Sequence, residues 1–349
     1  METIKVQFTG RIEEEAILLA AKCLRQGGLV AFPTETVYGL GADALNKEAV
    51  AGIFRAKGRP QDNPLIIHVA DWNLEPYVTH VPEKAKALME RFWPGPLTVI
   101  LPKTSLVPEE TSAGLSSVGV RMPANETARR IIAALGHPVA APSANLSGKP
   151  SPTNFDRCVE DLDGKVDMIL GDGQSIVGLE STIVDYSIDP PRLLRPGFVT
   201  YEELLEVDGR ILYEEALTRV GEKEAPRAPG MKYRHYAPKA PLTVIVGSPE
   251  KREEEMERRI TEAVEQGKRV GVLAAREQEA AYALKGVEFQ SYGSAKNPAE
   301  IARNLFEALR RFDDLEVELI YAEGIDESGV GRAVMNRLKK AAGYRLIEV

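Results

Sequence analysis

The sequence predicts a two-part α/β protein: a larger N-terminal part built on a mixed sheet, then a smaller doubly wound parallel sheet. Three observations carry this. Through the first two hundred residues, apolar runs and helical periodicities mix, and several strand-like runs follow one another with no helix between them. Beyond residue 241, strands and helices alternate strictly. Between the two, Pro226, Pro229, Pro238 and Pro241 stiffen a linker. A chain of 349 residues has room for both parts. The expected division is 1–220, a linker over 221–241, and 242–349.

Each element has a local reason. Glu13 to Gln26 spaces its apolar residues helically until Gly27-Gly28 stops it. Leu29 to Phe32 reads as a strand ending at Pro33. Glu48 to Lys57 reads as a helix and Leu65 to Val69 as a buried strand. Pro82 opens a helix to Trp93, and Leu97 to Leu101 is a strand. Val118 to Met122 alternates, Glu126 to Leu135 is helical, and Val139-Ala-Ala follows as a strand. Further strands are expected near Met168, at Ser181–Asp185 and near Leu193. Thr200-Tyr-Glu-Glu203 is a capping box opening a short helix. In the last part, strands are expected at 242–246, 270–274, 287–292 and 319–322. Helices near 250–266, 276–284, 298–312 and 331–342 separate them.

Composition narrows the function. No apolar run reaches the length of a membrane span, and Arg11 with Glu13, Glu14 and Glu15 interrupts any leader-like core, so a cytoplasmic protein is expected. Two cysteines, Cys23 and Cys158, are too few for a disulfide framework or a cysteine-rich zinc site. The four histidines show no metal-ligand spacing. A net charge of −8 argues against a surface that grips nucleic acid throughout. The charge is uneven, however: residues 51–150 carry a balance of +3. That fits a focused anion site, although chance variation along a surface would look the same.

Two short stretches carry chemistry. Lys57-Gly-Arg-Pro60 running to Asn63-Pro64 sets two cations two residues apart, and Ser143-Ala-Asn145 sets a hydroxyl and an amide two residues apart. In extended chain such pairs point the same way. Paired cations and paired neutral donors on rigid loops suit a nucleotide triphosphate. There is no P-loop motif. Gly39-Leu-Gly-Ala-Asp-Ala44 fits a dinucleotide pattern but follows no apolar strand. Gly329-Val-Gly331-Arg332 opens a helix whose backbone amides could hold an anion, but a plain helix start is the favoured reading.

Five motifs occur in one order: Pro33-Thr-Glu-Thr-Val-Tyr-Gly-Leu40, Lys57-Gly-Arg-Pro60, Phe92-Trp-Pro-Gly-Pro-Leu-Thr98, Pro142-Ser-Ala-Asn145 and Leu179-Glu-Ser-Thr182. In this the chain resembles the threonylcarbamoyl-AMP synthase (YrdC-domain) family in its long form. The resemblance is strong over about 10–207, and Pro229-Gly-Met-Lys-Tyr-Arg-His-Tyr-Ala-Pro238 fits the long form's linker. The last hundred residues match mainly in length and rhythm. The resemblance implies a YrdC-like domain followed by a Rossmann-like one. It also implies a nucleotidyltransferase that makes threonylcarbamoyl-AMP and pyrophosphate from L-threonine, bicarbonate or CO2, and ATP. A downstream threonylcarbamoyl transferase complex would pass the group to tRNA, so contact with tRNA itself could be indirect.

Carried over position by position, the resemblance puts Lys57 and Arg59 in the catalytic role, on the triphosphate. It adds Asn63, Ser117, Ser143, Asn145, Ser151 and Arg195 to the ATP side, with His235 and Tyr236 of the linker as further candidates. Thr36, His68, Arg121, Ala141 (through its backbone) and Ser181 would hold L-threonine, Arg121 facing its carboxylate. Mg2+ would come with ATP, bridging phosphates rather than sitting in a protein cage. Taken alone, each position has a plainer reading: Thr36 as a turn residue, His68 as a core histidine, Arg121 as a solvent-facing strand residue, the linker as one that merely packs. Two rival functions remain. The positive middle segment could make the chain a module that binds double-stranded RNA or tRNA without adenylate chemistry. A carbamoyl transferase of hydrogenase maturation also carries such a domain, but its cysteine-rich modules cannot be built here.

Overall fold

The computed structural model describes residues 2–8, 10, 12–171, 173–213, 226–231, 235–283 and 286–349. They fall into two compact units, one comprising residues 1–147 and 151–233, the other 148–150 and 234–349. Lys232, Tyr233 and Arg234 of the linker lie outside the described residues, as do positions 221–225 at its start.

The first unit begins with β1 (Ile4–Gln7), which the sequence did not signal: one face of this edge strand is polar. Helix α1 (Glu14–Arg25) buries Ala16, Ile17, Ala20, Ala21 and Leu24, a single stripe at helical spacing. Strands β2 (Val30–Phe32) and β3 (Gly39–Asp43) pair antiparallel. The glycines that imitate a dinucleotide loop therefore lie inside a buried strand. A Cβ on Gly41 would stand 2.6 Å from Phe32 Cε1 and 2.7 Å from Val139 Cγ1, so glycine serves close packing there.

Helix α2 (Lys47–Lys57) is capped by Asn46, whose side chain accepts from the Glu48 and Ala49 amides, and is ended by Gly58 at φ 61°. Then follow β4 (Ile66–His68), α3 (Glu83–Phe92), β5 (Leu97–Pro102), the short α4 (Glu109–Ser112), β6 (Ser117–Arg121), α5 (Glu126–Leu135), β7 (Val139–Ala140), α6 (Phe155–Leu162), β8 (Met168–Gly171), β9 (Thr182–Asp185), β10 (Arg192–Arg195) and α7 (Tyr201–Val207). The expected capping box at Thr200 and Glu203 is formed. The strands lie in the order β1-β8-β2-β3-β7-β4-β6-β5-β9-β10. Pairs β4/β6 and β5/β9 are parallel, while β2/β3, β3/β7, β4/β7 and β5/β6 are antiparallel, so the sheet is mixed, as expected. Ala228 and Met231 of the linker bury themselves against Ile66, Ile100, Ile183 and Leu194 on this sheet.

The second unit runs β11 (Leu242–Val246), α8 (Pro249–Glu265), β12 (Val270–Ala274), α9 (Glu279–Ala283), β13 (Glu288–Ser291), α10 (Pro298–Asp314), β14 (Leu319–Glu323), α11 (Val330–Ala341) and β15 (Leu346–Glu348). Its order, β13-β12-β14-β11-β15, is parallel throughout, the doubly wound arrangement the rhythm predicts. One expected helix, 276–284, is instead a 3-10 turn at Arg276–Gln278 running into α9. Strand β15 is only three residues long with none of them buried, and no sequence signal marked it.

Candidate functional site

The expected residues of the first unit fall into separate groups, on the ends of β4, β5, β6 and β9 and on the loops after α2 and β7. The loop Ser143–Asn145 is held from both sides. Ser143 Oγ donates to Asn145 Oδ1 at 2.6 Å, and Asn145 Nδ2 donates to the Leu146 carbonyl at 2.8 Å. The Ala144 amide bonds the Tyr38 carbonyl at 2.8 Å. The hydroxyl and amide thus meet, as their spacing implies.

Lys57 corrects the expectation. It is the last residue of α2, not part of an extended loop, so it does not stand parallel to Arg59. Its side chain is buried, and Nζ donates to the carbonyls of Ser143 and Asn145. Burial, then the charge of Arg59, pushes its pKa well below the ordinary lysine value. Lys57 therefore braces the Ser143–Asn145 loop. Arg59, half-buried, donates through Nη2 to the Pro64 carbonyl at 3.5 Å, and its amide bonds Phe54 O at 2.9 Å. Asn63 is buried, and its Oδ1 has no hydrogen-bond partner among the described residues.

Ser181 is the hub of a second group. Its hydroxyl lies 2.7 Å from Thr98 Oγ1 and accepts from Arg195 Nη2 at 3.1 Å, while Arg195 Nε donates to the Ser181 carbonyl at 3.0 Å. Gly197 fits against this corner closely: a Cβ there would be 2.4 Å from the Thr182 amide. Ser151 donates to Glu180 Oε1 at 2.6 Å, both buried.

Arg121 ends β6 beside His68, its register partner on β4. The plain solvent-facing reading of Arg121 fails: it is buried, its Nη2 donates to Glu35 Oε1 at 2.6 Å, and its Nε donates to the Gly95 carbonyl at 3.3 Å. These contacts leave Nη1 without a bond among the described residues. The other Glu35 oxygen, Oε2, is buried without a hydrogen-bond partner among the described residues. Burial, then the Arg121 charge, pushes His68 down to about 3, so the imidazole is neutral. Thr36 is enclosed, with Oγ1 2.8 Å from Thr34 Oγ1. The Ala141 amide is already committed to the Ile66 carbonyl at 3.0 Å, which leaves its own carbonyl as the backbone group on offer. Ser117, buried at the start of β6, helps enclose a cavity of only about 10 Å3 with Thr98, Ile183, Arg227 and Pro229.

His235 and Tyr236 belong to the second unit. Tyr236 has φ 64°, and its ring stacks on Phe306 at 5.1 Å with Arg337 at 5.9 Å, so its faces are taken up by that unit's own packing. Glu35, Thr98 and Glu180 went unremarked in the sequence. Each sits inside one of the five ordered motifs, and a polar residue in an otherwise buried string was the available signal.

Two family models cover the chain in succession. One, for Sua5, YciO and YrdC proteins and described as "Telomere recombination", matches residues 22–197; the other, "Threonylcarbamoyl-AMP synthase, C-terminal domain", matches residues 199–343. The threonylcarbamoyl-AMP synthase of Pyrococcus abyssi is 49% identical over 348 residues, covering 99% of this chain and 100% of that protein. That of Bacillus subtilis is 48% identical over 333 residues, covering 95% and 94%. The crystal structure of P. abyssi Sua5 complexed with L-threonine superposes with a TM-score of 0.92 at 48% identity, covering all of both chains.

Proposed function

We infer the reaction from one premise: the chain belongs to the threonylcarbamoyl-AMP synthase family. Its activity is accordingly threonylcarbamoyl-AMP synthesis, in the service of threonylcarbamoyladenosine in tRNA. The observation that supports this most directly is the likeness along the whole chain to relatives of that name.

In our reading the substrates are L-threonine, bicarbonate or CO2, and ATP. The threonine amine and CO2 form a carbamate, whose oxygen attacks the α-phosphorus of ATP as the bond to pyrophosphate breaks. No protein nucleophile takes part, so rate comes from positioning and charge neutralisation. Arg59 and Arg195 supply cations at the nucleotide, Arg59 able to fork onto two phosphate oxygens. Asn63, Ser117, Ser143, Asn145 and Ser151 supply neutral polar contacts, and Lys57 acts through the loop it braces. On the amino-acid side, Arg121 turns its unused Nη1 to the carboxylate, with Thr36, neutral His68, the Ala141 carbonyl and Ser181 around the rest. The orphaned atoms of Asn63 and His68 fit a site whose partners arrive with substrate. Mg2+ comes with ATP and screens its phosphates.

The division into a catalytic part (1–220), a linker over the site (221–241) and a Rossmann-like part (242–349) belongs to the same reading. The packing of Ala228 and Met231 on the first unit's sheet supports it. A cytoplasmic location is a further part of this reading. Among the described residues no helix is long and apolar enough to cross a membrane. A downstream transferase complex would then receive the adenylate.

The test is pyrophosphate release from ATP and Mg2+ with threonine and bicarbonate omitted in turn, and detection of the adenylate by mass. Release that needs both is the expected result. Release indifferent to threonine would refute the reading.

A further inference from the structure

The second unit holds a crevice that the reaction above does not use. It has a volume of about 410 Å3, within the range of small-molecule sites, and opens at the carboxyl ends of β11, β12 and β14. That is the edge of a doubly wound sheet where ligands gather. The neighbouring strands β12 and β14 connect onward in opposite directions along the order β13-β12-β14-β11-β15, the switch point of the sheet.

Two opposite charges line this crevice, Arg252 one turn into α8 and Glu323 at the end of β14. No ion pair within 4 Å joins them, although the Arg252 charge is felt at Glu323. No hydrogen bond or ion pair engages the Arg252 guanidinium among the described residues, and its Nε is buried without an acceptor. Glu323 is 2% exposed, and its carboxylate receives long contacts from the Ala275 amide at 3.5 Å and the Tyr282 hydroxyl at 3.4 Å, with the Tyr292 hydroxyl also against it. The first two lie at the outer limit of a hydrogen bond, and a buried carboxylate served by neutral donors alone, two of them this distant, is costly. The other acids of the wall are engaged: Glu277 accepts from Ser294 and from the Ala295 amide at 3.1 Å, and Asp326 from the Ser328 amide at 2.8 Å. The two under-used groups are thus one cation and one anion.

The geometry points to a second binding site here, for a small zwitterion of the α-amino acid class, its carboxylate on Arg252 and its ammonium on Glu323. One cation against three acids in the wall rejects a polyphosphate. A zwitterion meets the unpaired charges one for one. Burial, the largest influence, raises the Glu323 pKa, so an arriving ammonium would also favour its ionised form.

The site is tested on the full chain by ligand-observed NMR and calorimetry, with the common L-amino acids offered singly. Threonine is offered to an Arg121→Ala variant as well, which separates this site from the first unit's. The expected result is an amino acid bound once per chain whose affinity falls about tenfold or more in Arg252→Ala and in Glu323→Gln. Its amine and hydroxy-acid analogues, each lacking one charge, should bind weaker by a similar factor. Arg252 is half-exposed, so its variant should fold even where Glu323→Gln does not; melting curves of both check this. Absence of any such binding, or binding that Arg252→Ala leaves unchanged, overturns the assignment. Preference for an uncharged nucleoside would overturn the ligand class.

Discussion

Lys57→Met removes a charge while nearly keeping the length of the side chain, and it separates two roles that the motif alone cannot. If Lys57 braces the Ser143–Asn145 loop, the loss falls on the empty protein. Two backbone carbonyls lose their donor, and an unsatisfied buried acceptor costs about 1–3 kcal/mol. Against this, the variant no longer buries an ammonium, which recovers part of the cost. The net destabilisation is then about 1–3 kcal/mol, which for a unit of this size lowers the melting temperature by about 2–10 °C. Nucleotide affinity falls as well, because Ser143 and Asn145 lose their fixed geometry. Arg59→Ala is the comparison: Arg59 is half-buried and its contact to the Pro64 carbonyl is long, so the empty protein should lose less stability than with Lys57→Met while ATP binding weakens. Thermal unfolding with and without ATP and Mg2+ reads both. A Lys57→Met protein that melts like the wild type when empty and loses only the ATP-induced rise would refute the bracing role and return Lys57 to the phosphates.

Glu35→Ala should be among the most damaging single changes, about 3–5 kcal/mol, because it strands Arg121 in a buried position; denaturant unfolding measures it, and a loss under 1 kcal/mol would mean that water reaches the pair. His68 is held near 3 against an ordinary 6.5, so the folded state resists its protonation. Its contribution to stability is complete above pH 6.5 and is lost as pH falls toward 3, up to about 4–5 kcal/mol in all. Replacing His68 with Gln should flatten the acid limb of the stability curve, and an unchanged limb would assign acid sensitivity to other groups. Threonine should be used in preference to valine by a large factor if Thr36, Ser181 or another polar group receives its hydroxyl, since an unpaired buried donor or acceptor penalises the analogue; comparable kcat/KM for the two would contradict that placement.

The sequence was most legible where one signal dominated. Helix α5 is capped by Asn125 and Gly136 with an apolar stripe between, and the structure gives the expected 126–135. The strict alternation beyond residue 241 gave the parallel sheet. The short elements were not legible: β1 is four residues long with one polar face, and β3 carries two glycines that composition reads as a loop. In the site, residue types were readable but directions were not. Lys57 and Arg59 share a motif, yet helix geometry carries one inward while the chain beyond Gly58 takes the other elsewhere. Arg121 alternates like a surface residue, and only Glu35, far away in sequence, shows why it can be buried. Tyr236 stands among polar linker residues, and nothing local reveals that Phe306 and Arg337 flank its ring.

The bonds that shape the first unit's site span long stretches of chain. Lys57 reaches Ser143 across 86 positions, Arg121 reaches Glu35 across 86, and Thr98 reaches Ser181 across 83. None of these contacts can form inside a locally folded fragment, and each must repay the entropy of closing a long loop. The site should therefore emerge late and all at once during refolding, with nucleotide binding regained in step with the global transition. On the ribosome the same distances impose a delay: until Arg195 has left the exit tunnel and β10 has joined β9, Ser181 lacks its anchor, and no shorter nascent chain can carry a finished site.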